Sequence, residues 1–480
     1  MNKRMVLHVV GLVLLVEAGL LLLPAVIALC YMEKSGLWFL LCAGISALFG
    51  LGFKLLKPKF TGFYARDGFA ATALSWLAMS AMGALPFFLS GQIPNYLDAL
   101  FETVSGFTTT GASILPDVEA LDHCMLFWRS FTHWVGGMGV LVFMLAVLPL
   151  TGGQNLHLMR AESPGPSVGK LVPRLRDSAI WLYGIYFGLS LLCFLMLWIG
   201  GMPVFDAACL TFGTAGTGGF GVLGSSFADY NLYCKIVDTV FMLLFGFNFN
   251  FFYLIIIKKL KDAFKMEEIR WYLAIYFFAV ITILLSLLRA GMLFTDAQPI
   301  DAFFSVASIM TTTGFATVDF NVWPTYCRML LVLIMFTGAC AGSTGGGIKI
   351  SRWIIYLKSL GRELNRLTHP RAVKSIRLEG KTIDDNVLHN TFVYLGVFIC
   401  IYVASILIVA TDGFDITTTF TSVAATINNI GPGLNQVGPV GNFGGFSYLS
   451  KIVLIFDMLA GRLEIYPLLI FFLPSSWKKQ

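Results

Sequence analysis

Long apolar runs alternate with short polar connections along this chain of 480 residues. One helical crossing of a bilayer needs about 20 apolar residues. Ten runs meet that length, at roughly 5–32, 36–56, 68–90, 125–150, 178–200, 235–258, 271–294, 327–358, 390–411 and 449–473. The pattern predicts an all-α polytopic membrane protein with both termini on one side. The first run is too long for a signal-peptide core, so we expect it to be retained as a helix.

Composition agrees with this class, because 57% of residues are hydrophobic and only 12% are charged. Such a chain cannot present a water-soluble surface. The nine cysteines and six histidines show no paired spacing, which argues against a zinc site or a disulfide framework. The net charge of +6 is spread between apolar runs and does not form a nucleic-acid patch.

The positions of the basic residues predict the orientation. With the N-terminus in the cytoplasm, 26 of the 33 Lys and Arg residues lie on the cytoplasmic side, six lie outside and Arg462 falls within the last run. This imbalance is what the positive-inside rule requires. We therefore expect a multi-pass protein of the bacterial inner membrane with cytoplasmic termini.

Four outward connections each contain a short apolar stretch that begins near an Asp and ends in a glycine-containing turn. A carboxylate there meets the positive end of a helix dipole. The four stretches, too short to span, read DALFETVSGFTTTGASIL from Asp98, DAACLTFGTAGTGGFGVL from Asp206, DAFFSVASIMTTTGFATV from Asp301 and DITTTFTSVAATINNIGPGL from Asp415. They predict four copies of one re-entrant design.

Aligning Gly111, Gly218, Gly314 and Gly431 gives spacings of 107, 96 and 117 residues, so the repeat is about 100 residues long. Each unit is a span, a re-entrant segment and a span, and four units predict a pseudo-tetrameric arrangement. The predicted divisions are a two-helix extension at 1–66, repeat 1 at 67–178, repeat 2 at 179–270, repeat 3 at 271–389 with an intramembrane gating loop, and repeat 4 at 390–480.

Bare backbone at membrane depth is tolerated only where it lines a water-filled path or is buried in protein. Glycine lets neighbouring carbonyls turn toward a common axis, where they replace the water around a cation. The predicted filter, with K⁺ at its carbonyls, consists of Thr109, Thr110, Gly111, Thr217, Gly218, Gly219, Thr312, Thr313, Gly314, Asn429, Ile430 and Gly431. Loop 4 has Ile430 where this alignment puts Thr in the other loops, so we expect an asymmetric filter of moderate selectivity.

The eighth run is too long for one straight crossing and contains consecutive glycines. Each glycine weakens a helix by about 1 kcal/mol relative to Ala, so we expect 338–347 to be non-helical and to lie beneath the filter. Arg462 has five N–H donors with which to hold carbonyls of this loop. The predicted gate consists of Gly338, Gly342, Ser343, Thr344, Gly345, Gly346, Gly347 and Arg462.

These motifs resemble those of the Trk/Ktr/HKT superfamily of potassium transporters: TTTGAS at 108–113, TGGF at 217–220, TTTGFAT at 311–317 and NNIGPGL at 428–434. GACAGSTGGGIKISR at 338–352 and LAGRLEIYPLL at 459–469 resemble the intramembrane loop and the arginine helix of TrkH-type members. The two leading spans fit the same subfamily, because Ktr-type subunits typically have eight.

The resemblance implies potassium uptake by a homodimer with one pore per subunit, regulated by a cytoplasmic nucleotide-binding ring called TrkA. NAD, ATP or ADP would then act only through that partner. The chain has no GxxxxGK[ST] phosphate loop and no cofactor other than K⁺ is expected in it. The basic inner connections 151–178 and 359–389 are candidate docking faces.

Three other classes compete with a pore. An intramembrane enzyme needs a nucleophile, a base or a metal set within the bilayer, and the sequence shows none. A secondary transporter that couples potassium to protons or sodium remains the alternative, although such proteins commonly use inverted repeats and these units run parallel. A non-transporting subunit would be separated from both by an ion-flux measurement.

Overall fold

The computed structural model describes residues 1–56, 65–147, 175–371 and 375–477. Within these ranges the chain is helical apart from its connections, an isolated bridge and one antiparallel hairpin, which pairs Arg377–Leu378 with Lys381–Thr382. By length and composition, six described helices can cross a membrane: Lys3–Tyr31, Gly36–Leu55, Arg66–Leu89, Ile180–Ile199, Glu267–Arg289 and Asp385–Asp412. The first consists of Lys3–Leu20 and Leu22–Tyr31, with Leu21 between them.

The outer surfaces of these helices carry large apolar side chains. Leu29, Leu48 and Leu407 are 77%, 72% and 67% exposed. Contiguous apolar surface on this scale is rare on proteins that face water on all sides, and it suits hydrocarbon. The prediction of a multi-span helical membrane protein is therefore confirmed.

Four short helices follow the first helix of each predicted repeat. We call them re-entrant helices 1 to 4; they are Tyr96–Phe107, Val204–Gly216, Pro299–Met310 and Ile416–Ile427. Asp415 caps the fourth, because its carboxylate accepts a hydrogen bond of 3.0 Å from the Thr418 amide. The other three Asp residues lie in the first turn, not at the cap. All four carboxylates are near the positive end of a helix dipole.

The second helix of each repeat follows its re-entrant loop, and only that of repeat 1, His123–Val147, is continuous. In repeat 2, Leu232–Phe245 and Phe249–Ile256 meet at 93°, so the single predicted span 235–258 is wrong. Asn248 caps the second piece by accepting a hydrogen bond of 3.0 Å from the Asn250 amide. The short helix Leu260–Lys265 then leads into repeat 3.

In repeat 3 the predicted break is confirmed, because Thr325–Met335 and Ile350–Thr368 are separated by non-helical residues 336–349. We call these residues the intramembrane loop. In repeat 4 the predicted span 449–473 is also interrupted, into Tyr448–Arg462 and Tyr466–Phe472. Arg462 is therefore the last residue of a helix, not the middle of a span.

The two N-terminal helices pack closely against each other. A Cβ on Gly11 would lie 2.8 Å from the Gly50 carbonyl oxygen, so the backbones touch where both residues lack a side chain. Glu17 faces inward from the first helix toward Gly83, and its carboxylate has no hydrogen-bond partner among the described residues.

Candidate functional site

The four loops that follow the re-entrant helices share one backbone conformation. We call them loops 1 to 4 (108–113, 217–220, 311–317 and 428–434). Near the start of each loop one residue has a left-handed backbone conformation, with φ between 55° and 60°. It is the second residue after the helix in loops 1, 3 and 4 and the first in loop 2: Thr109, Thr217, Thr312 and Asn429. Two residues later a glycine has φ between 78° and 95°: Gly111, Gly219, Gly314 and Gly431.

The residue between these two positions is equivalent in all four loops. Its amide donates to the carbonyl five residues earlier, at 2.8 to 2.9 Å, in the pairs Thr110 to Ser105, Gly218 to Gly213, Thr313 to Ser308 and Ile430 to Ala425. Gly218 is therefore the counterpart of Thr110, and Gly219 is the counterpart of Gly111. The alignment that placed Gly218 with Gly111 is wrong by one residue, and the hydroxyl is missing from loop 2 as well as loop 4.

The four loops form a closed ring. A Cβ on the glycine of one loop would overlap or closely approach a carbonyl oxygen of the next, in the order Gly111 with Gly218, Gly219 with Thr313, Gly314 with Ile430 and Gly431 with Thr110. The fourth contact returns to loop 1. None of these four carbonyl oxygens accepts a hydrogen bond from a described residue. The ring thus brings together all twelve predicted filter residues.

In loops 1 and 3, threonine hydroxyls lie within hydrogen-bond distance of one another. Thr110 Oγ1 lies 2.8 Å from Thr108 Oγ1 and accepts a hydrogen bond of 2.9 Å from the side-chain amide nitrogen, Nδ2, of Asn429. Thr313 pairs with Thr311 in the same way, at 2.7 Å. These hydroxyls brace loops 1 and 3, whereas the four ring carbonyls have no hydrogen-bond donor among the described residues.

A buried ion pair supports loops 1 and 2 from behind. Glu102 and Arg129 are 1% and 4% exposed, and their Oε1 and Nε atoms are 2.6 Å apart. Glu102 also accepts from the Ile114 amide at 2.9 Å, and Arg129 donates to the Gly221 carbonyl at 3.0 Å. The pair therefore ties re-entrant helix 1 to the residues that directly follow loops 1 and 2. Sequence reasoning missed it, although two opposite charges in apolar segments were a signal.

His133 joins re-entrant helix 1 to loop 2. Its Nδ1 lies 2.8 Å from the Gly106 carbonyl, and its Nε2 accepts from the Phe220 amide at 3.2 Å. These partners require a neutral ring with the proton on Nδ1. His133 is therefore a hydrogen-bonded packing residue.

Loss of Arg129 is expected to destabilise the protein strongly, because Glu102 would remain as a buried, uncompensated charge. Breaking such a pair costs about 3–5 kcal/mol. We expect Arg129→Met to lower the unfolding temperature in detergent markedly. The double variant Glu102→Gln with Arg129→Met should recover much of that loss, and an equal loss in both variants would contradict the pairing.

The intramembrane loop lies against one side of the ring. The Gly346 amide donates to Thr312 Oγ1 at 2.6 Å, and the Gly347 amide donates to the Asn428 carbonyl at 3.1 Å. A Cβ on Gly345 would come within 2.8 Å of the Thr311 carbonyl oxygen. The loop therefore touches loops 3 and 4 directly through its consecutive glycines.

The bend of repeat 2 holds the opposite edge of the intramembrane loop. The Cys340 amide donates to the Gly246 carbonyl, and the Phe249 amide donates to the Gly342 carbonyl, both at 3.1 Å. Glu268, from the first helix of repeat 3, accepts from the Ala341 amide at 2.7 Å. The polar groups of this non-helical backbone thus find hydrogen-bond partners in neighbouring elements.

Arg462 also contacts the intramembrane loop. Its Nη1 donates to the Thr344 carbonyl at 2.8 Å, and its Nη2 donates to the Gly136 carbonyl at 2.7 Å. The predicted contact between Arg462 and a loop carbonyl is present, and the contact with repeat 1 was not foreseen. The predicted gate residues Gly338, Gly342, Ser343, Thr344, Gly345, Gly346 and Gly347 all lie in this loop.

A second link between repeats 3 and 4 lies just beyond the loop. Arg352 Nη2 is 2.5 Å from Glu464 Oε2, and its guanidinium stacks 3.9 Å from the centre of the Tyr394 ring. Lys349 is buried and donates to the Gly345 carbonyl. Glu464 is therefore paired with Arg352.

A cavity of about 150 Å³ opens above the ring, on the side away from the intramembrane loop. The ring glycines line its floor, and Asp117 and Arg129 lie in its wall. The arrangement provides a mouth, a ring of backbone carbonyls and a glycine-rich loop beneath. The described residues hold no group of three or more His, Cys, Asp or Glu side chains suited to a metal ion.

Comparison with known proteins agrees with this geometry. The family model described as TrkH, a cation transport protein, matches residues 35–479. The Trk system potassium uptake proteins TrkH and TrkG of Escherichia coli strain K12 are 35% and 36% identical to this chain. The TrkH alignment covers 100% of both chains, and the TrkG alignment covers 99% of both.

A solved structure agrees over the whole length. The crystal structure of the potassium transporter TrkH from Vibrio parahaemolyticus superposes with a TM-score of 0.89 at 32% sequence identity, and the match covers 100% of each chain. The resemblance to Trk transporters is confirmed, and the family is one of transporters, not enzymes. The chain belongs to the TrkH family of multi-pass cation transport proteins.

Proposed function

We propose that this chain carries potassium across the membrane through the ring formed by loops 1 to 4. The observation that supports the proposal most strongly is the closed ring of four carbonyl oxygens, none of which accepts a hydrogen bond from a described residue. Unpaired buried carbonyls are costly unless something else satisfies them. A partly dehydrated cation does so, because carbonyls replace its hydration shell.

The proposed architecture is four helix, re-entrant loop and helix repeats around this path, after the two-helix N-terminal extension. Each re-entrant helix ends at its loop, so its negative dipole end favours a cation there. Around the ring, loops with a threonine hydroxyl at this position (Thr110 and Thr313) alternate with loops that lack one (Gly218 and Ile430). Moderate preference for potassium over sodium is therefore the expected property.

We propose the intramembrane loop and Arg462 as the gate. The loop lies directly against loops 3 and 4, and Arg462 places a positive charge at its Thr344 carbonyl. A cation leaving the ring on this side would meet both. Movement of the loop away from the ring would open the path.

The remaining parts of the proposal concern partners and orientation. From the sequence resemblance we propose a homodimer with cytoplasmic termini and a nucleotide-binding regulatory ring of the TrkA type. Most of the predicted docking connection 151–178 lies outside the described residues. The second, 359–389, contains the end of helix Ile350–Thr368 and the hairpin.

Ion flux into liposomes that contain only this chain tests the proposal. We expect uptake of potassium and rubidium to exceed that in empty liposomes and to exceed sodium uptake.

Coupled transport with protons or sodium is the second candidate, favoured by Asp238 and Asp457, which are buried with one carboxylate oxygen each unpartnered among the described residues. Potassium flux down its own gradient without accompanying movement of protons or sodium would exclude coupling, and no flux at all would overturn transport by this chain alone.

A further inference from the structure

A cluster of basic residues lies where repeat 2 leads into repeat 3. We call residues 256–270 the basic segment; they include the short helix Leu260–Lys265 and the start of the helix Glu267–Arg289. Five basic side chains are exposed there: Lys258, Lys259, Lys261, Lys265 and Arg270. None forms an ion pair with another described residue.

Acidic residues nearby do not neutralise these charges. Glu267 is engaged with Lys358, at 2.6 Å, and Glu268 is buried with its carboxylate on the intramembrane loop. Glu379 accepts from the Glu268 amide at 3.0 Å and so caps the helix that begins there. Asp262, the one acidic residue of the short helix, is exposed, and so is Glu379. The segment therefore presents a net positive surface.

Apolar side chains are exposed beside the lysines. Leu260 and Phe264, one turn apart, are 51% and 64% exposed, while Lys261 and Lys265 share a neighbouring face. Ile256 and Ile257 extend the apolar side toward the preceding helix. This combination suits the boundary between hydrocarbon and headgroups, where apolar side chains enter the acyl region and lysines reach the phosphates.

The segment is a fixed structure. Phe264 packs edge-on against Phe251 with ring centres 5.4 Å apart, and Ala263 is fully buried. Beside it, two cavities of about 370 Å³ each share Glu267 and Arg270; Trp271 lines one, and Asp262, Lys265 and Glu379 line the other.

We propose that the basic segment binds the headgroups of anionic phospholipids in the leaflet on the intramembrane-loop side. A cluster of four or more Lys and Arg residues next to a span attracts anionic lipid. A soluble protein or free phosphate would explain the charges but not the exposed Leu260 and Phe264. The site also adjoins the gate, because Phe251 belongs to the helix whose first amide, that of Phe249, donates to the Gly342 carbonyl.

Trp271 provides a local reporter, because it is 41% exposed and lines the cavity next to Arg270. The experiment places the full chain in phosphatidylcholine vesicles with brominated phosphatidylglycerol or brominated phosphatidylcholine at equal mole fraction. The Trp271 signal is the difference in fluorescence between the parent and Trp271→Phe. We expect its quenching by the anionic lipid to exceed that by the zwitterionic lipid by about twofold or more, and the excess to shrink at high salt.

Changing Lys258, Lys259, Lys261 and Lys265 together to Gln should abolish that excess. The matched control changes four other exposed basic residues to Gln: Arg366, Arg371, Arg377 and Lys381. The control should retain the excess. Any of three results would overturn the proposal. The excess quenching could be absent from the parent, it could survive the four lysine changes, or it could be lost equally in the control variant. If the fourfold variant does not fold, the pair Lys258→Gln and Lys259→Gln should halve the excess. Because the readout is lipid contact, it is independent of potassium transport.

Discussion

Replacing any one of Gly111, Gly219, Gly314 or Gly431 with serine is expected to lower the potassium-to-sodium permeability ratio by about tenfold. A side chain in the left-handed region costs roughly 1–2 kcal/mol, and the loop can relieve this strain by moving its carbonyls. If the ring thereby loses about 1.4 kcal/mol of its preference for potassium over sodium, the ratio falls about tenfold. Each new Cβ would also press on a carbonyl of the next loop, which distorts the ring where a cation is held. Relative rubidium and sodium flux into liposomes measures the ratio.

Gly413→Ser is the matched control. Gly413 has φ of 78°, the same as Gly111 and Gly219, but a Cβ there meets nothing within 4 Å. The backbone strain is therefore similar and the neighbouring carbonyl is absent. An unchanged permeability ratio in all four ring variants, or an equal drop in Gly413→Ser, would remove the ring from the selectivity mechanism.

Changing Arg462 to Ala is expected to raise basal potassium flux by an order of magnitude or more without altering ion preference. The variant removes two hydrogen bonds from a charged donor, to the Thr344 and Gly136 carbonyls. Such bonds contribute about 1.5–3 kcal/mol each, so their loss should increase the population in which the intramembrane loop has left the ring. Flux into liposomes without any regulatory partner measures the effect.

Arg462→Lys separates charge from geometry. Lysine keeps the positive charge but lacks the planar fork that reaches two carbonyls, so flux between the parent and Arg462→Ala is expected. Deletion within Gly345–Gly347 should also raise flux, because the contacts with Thr312 and Asn428 are lost. If folded variants of both kinds conduct at the parental rate, the gate lies elsewhere.

The six continuous spans were predictable because hydrocarbon demands long apolar runs, and the break in repeat 3 because consecutive glycines cannot sustain a helix. The bend at 246–248 was not predictable in this way. Its residues lie in an apolar run, and the turn depends on partners distant in sequence, such as the Gly342 carbonyl at the Phe249 amide. The break after Arg462 likewise depends on Glu464, which Arg352 holds from another repeat.

The alignment of the four loops shows a different limit of prediction from sequence. Loop 2 contains adjacent glycines, Gly218 and Gly219, so alignment by residue type alone had two solutions. The structure decides between them by the five-residue backbone hydrogen bond from Gly218 to Gly213. The support from Glu102 and Arg129 was missed because it joins residues 27 positions apart, on two helices whose packing the sequence does not display.

The position of bound cations tests the central claim most directly. A crystal grown with rubidium or thallium in place of potassium reveals these ions by their anomalous scattering. The proposed function predicts peaks on the axis of the ring, between the carbonyl oxygens of Thr110, Gly218, Thr313 and Ile430. Ordered protein with anomalous peaks elsewhere in the membrane region and none inside the ring would contradict it.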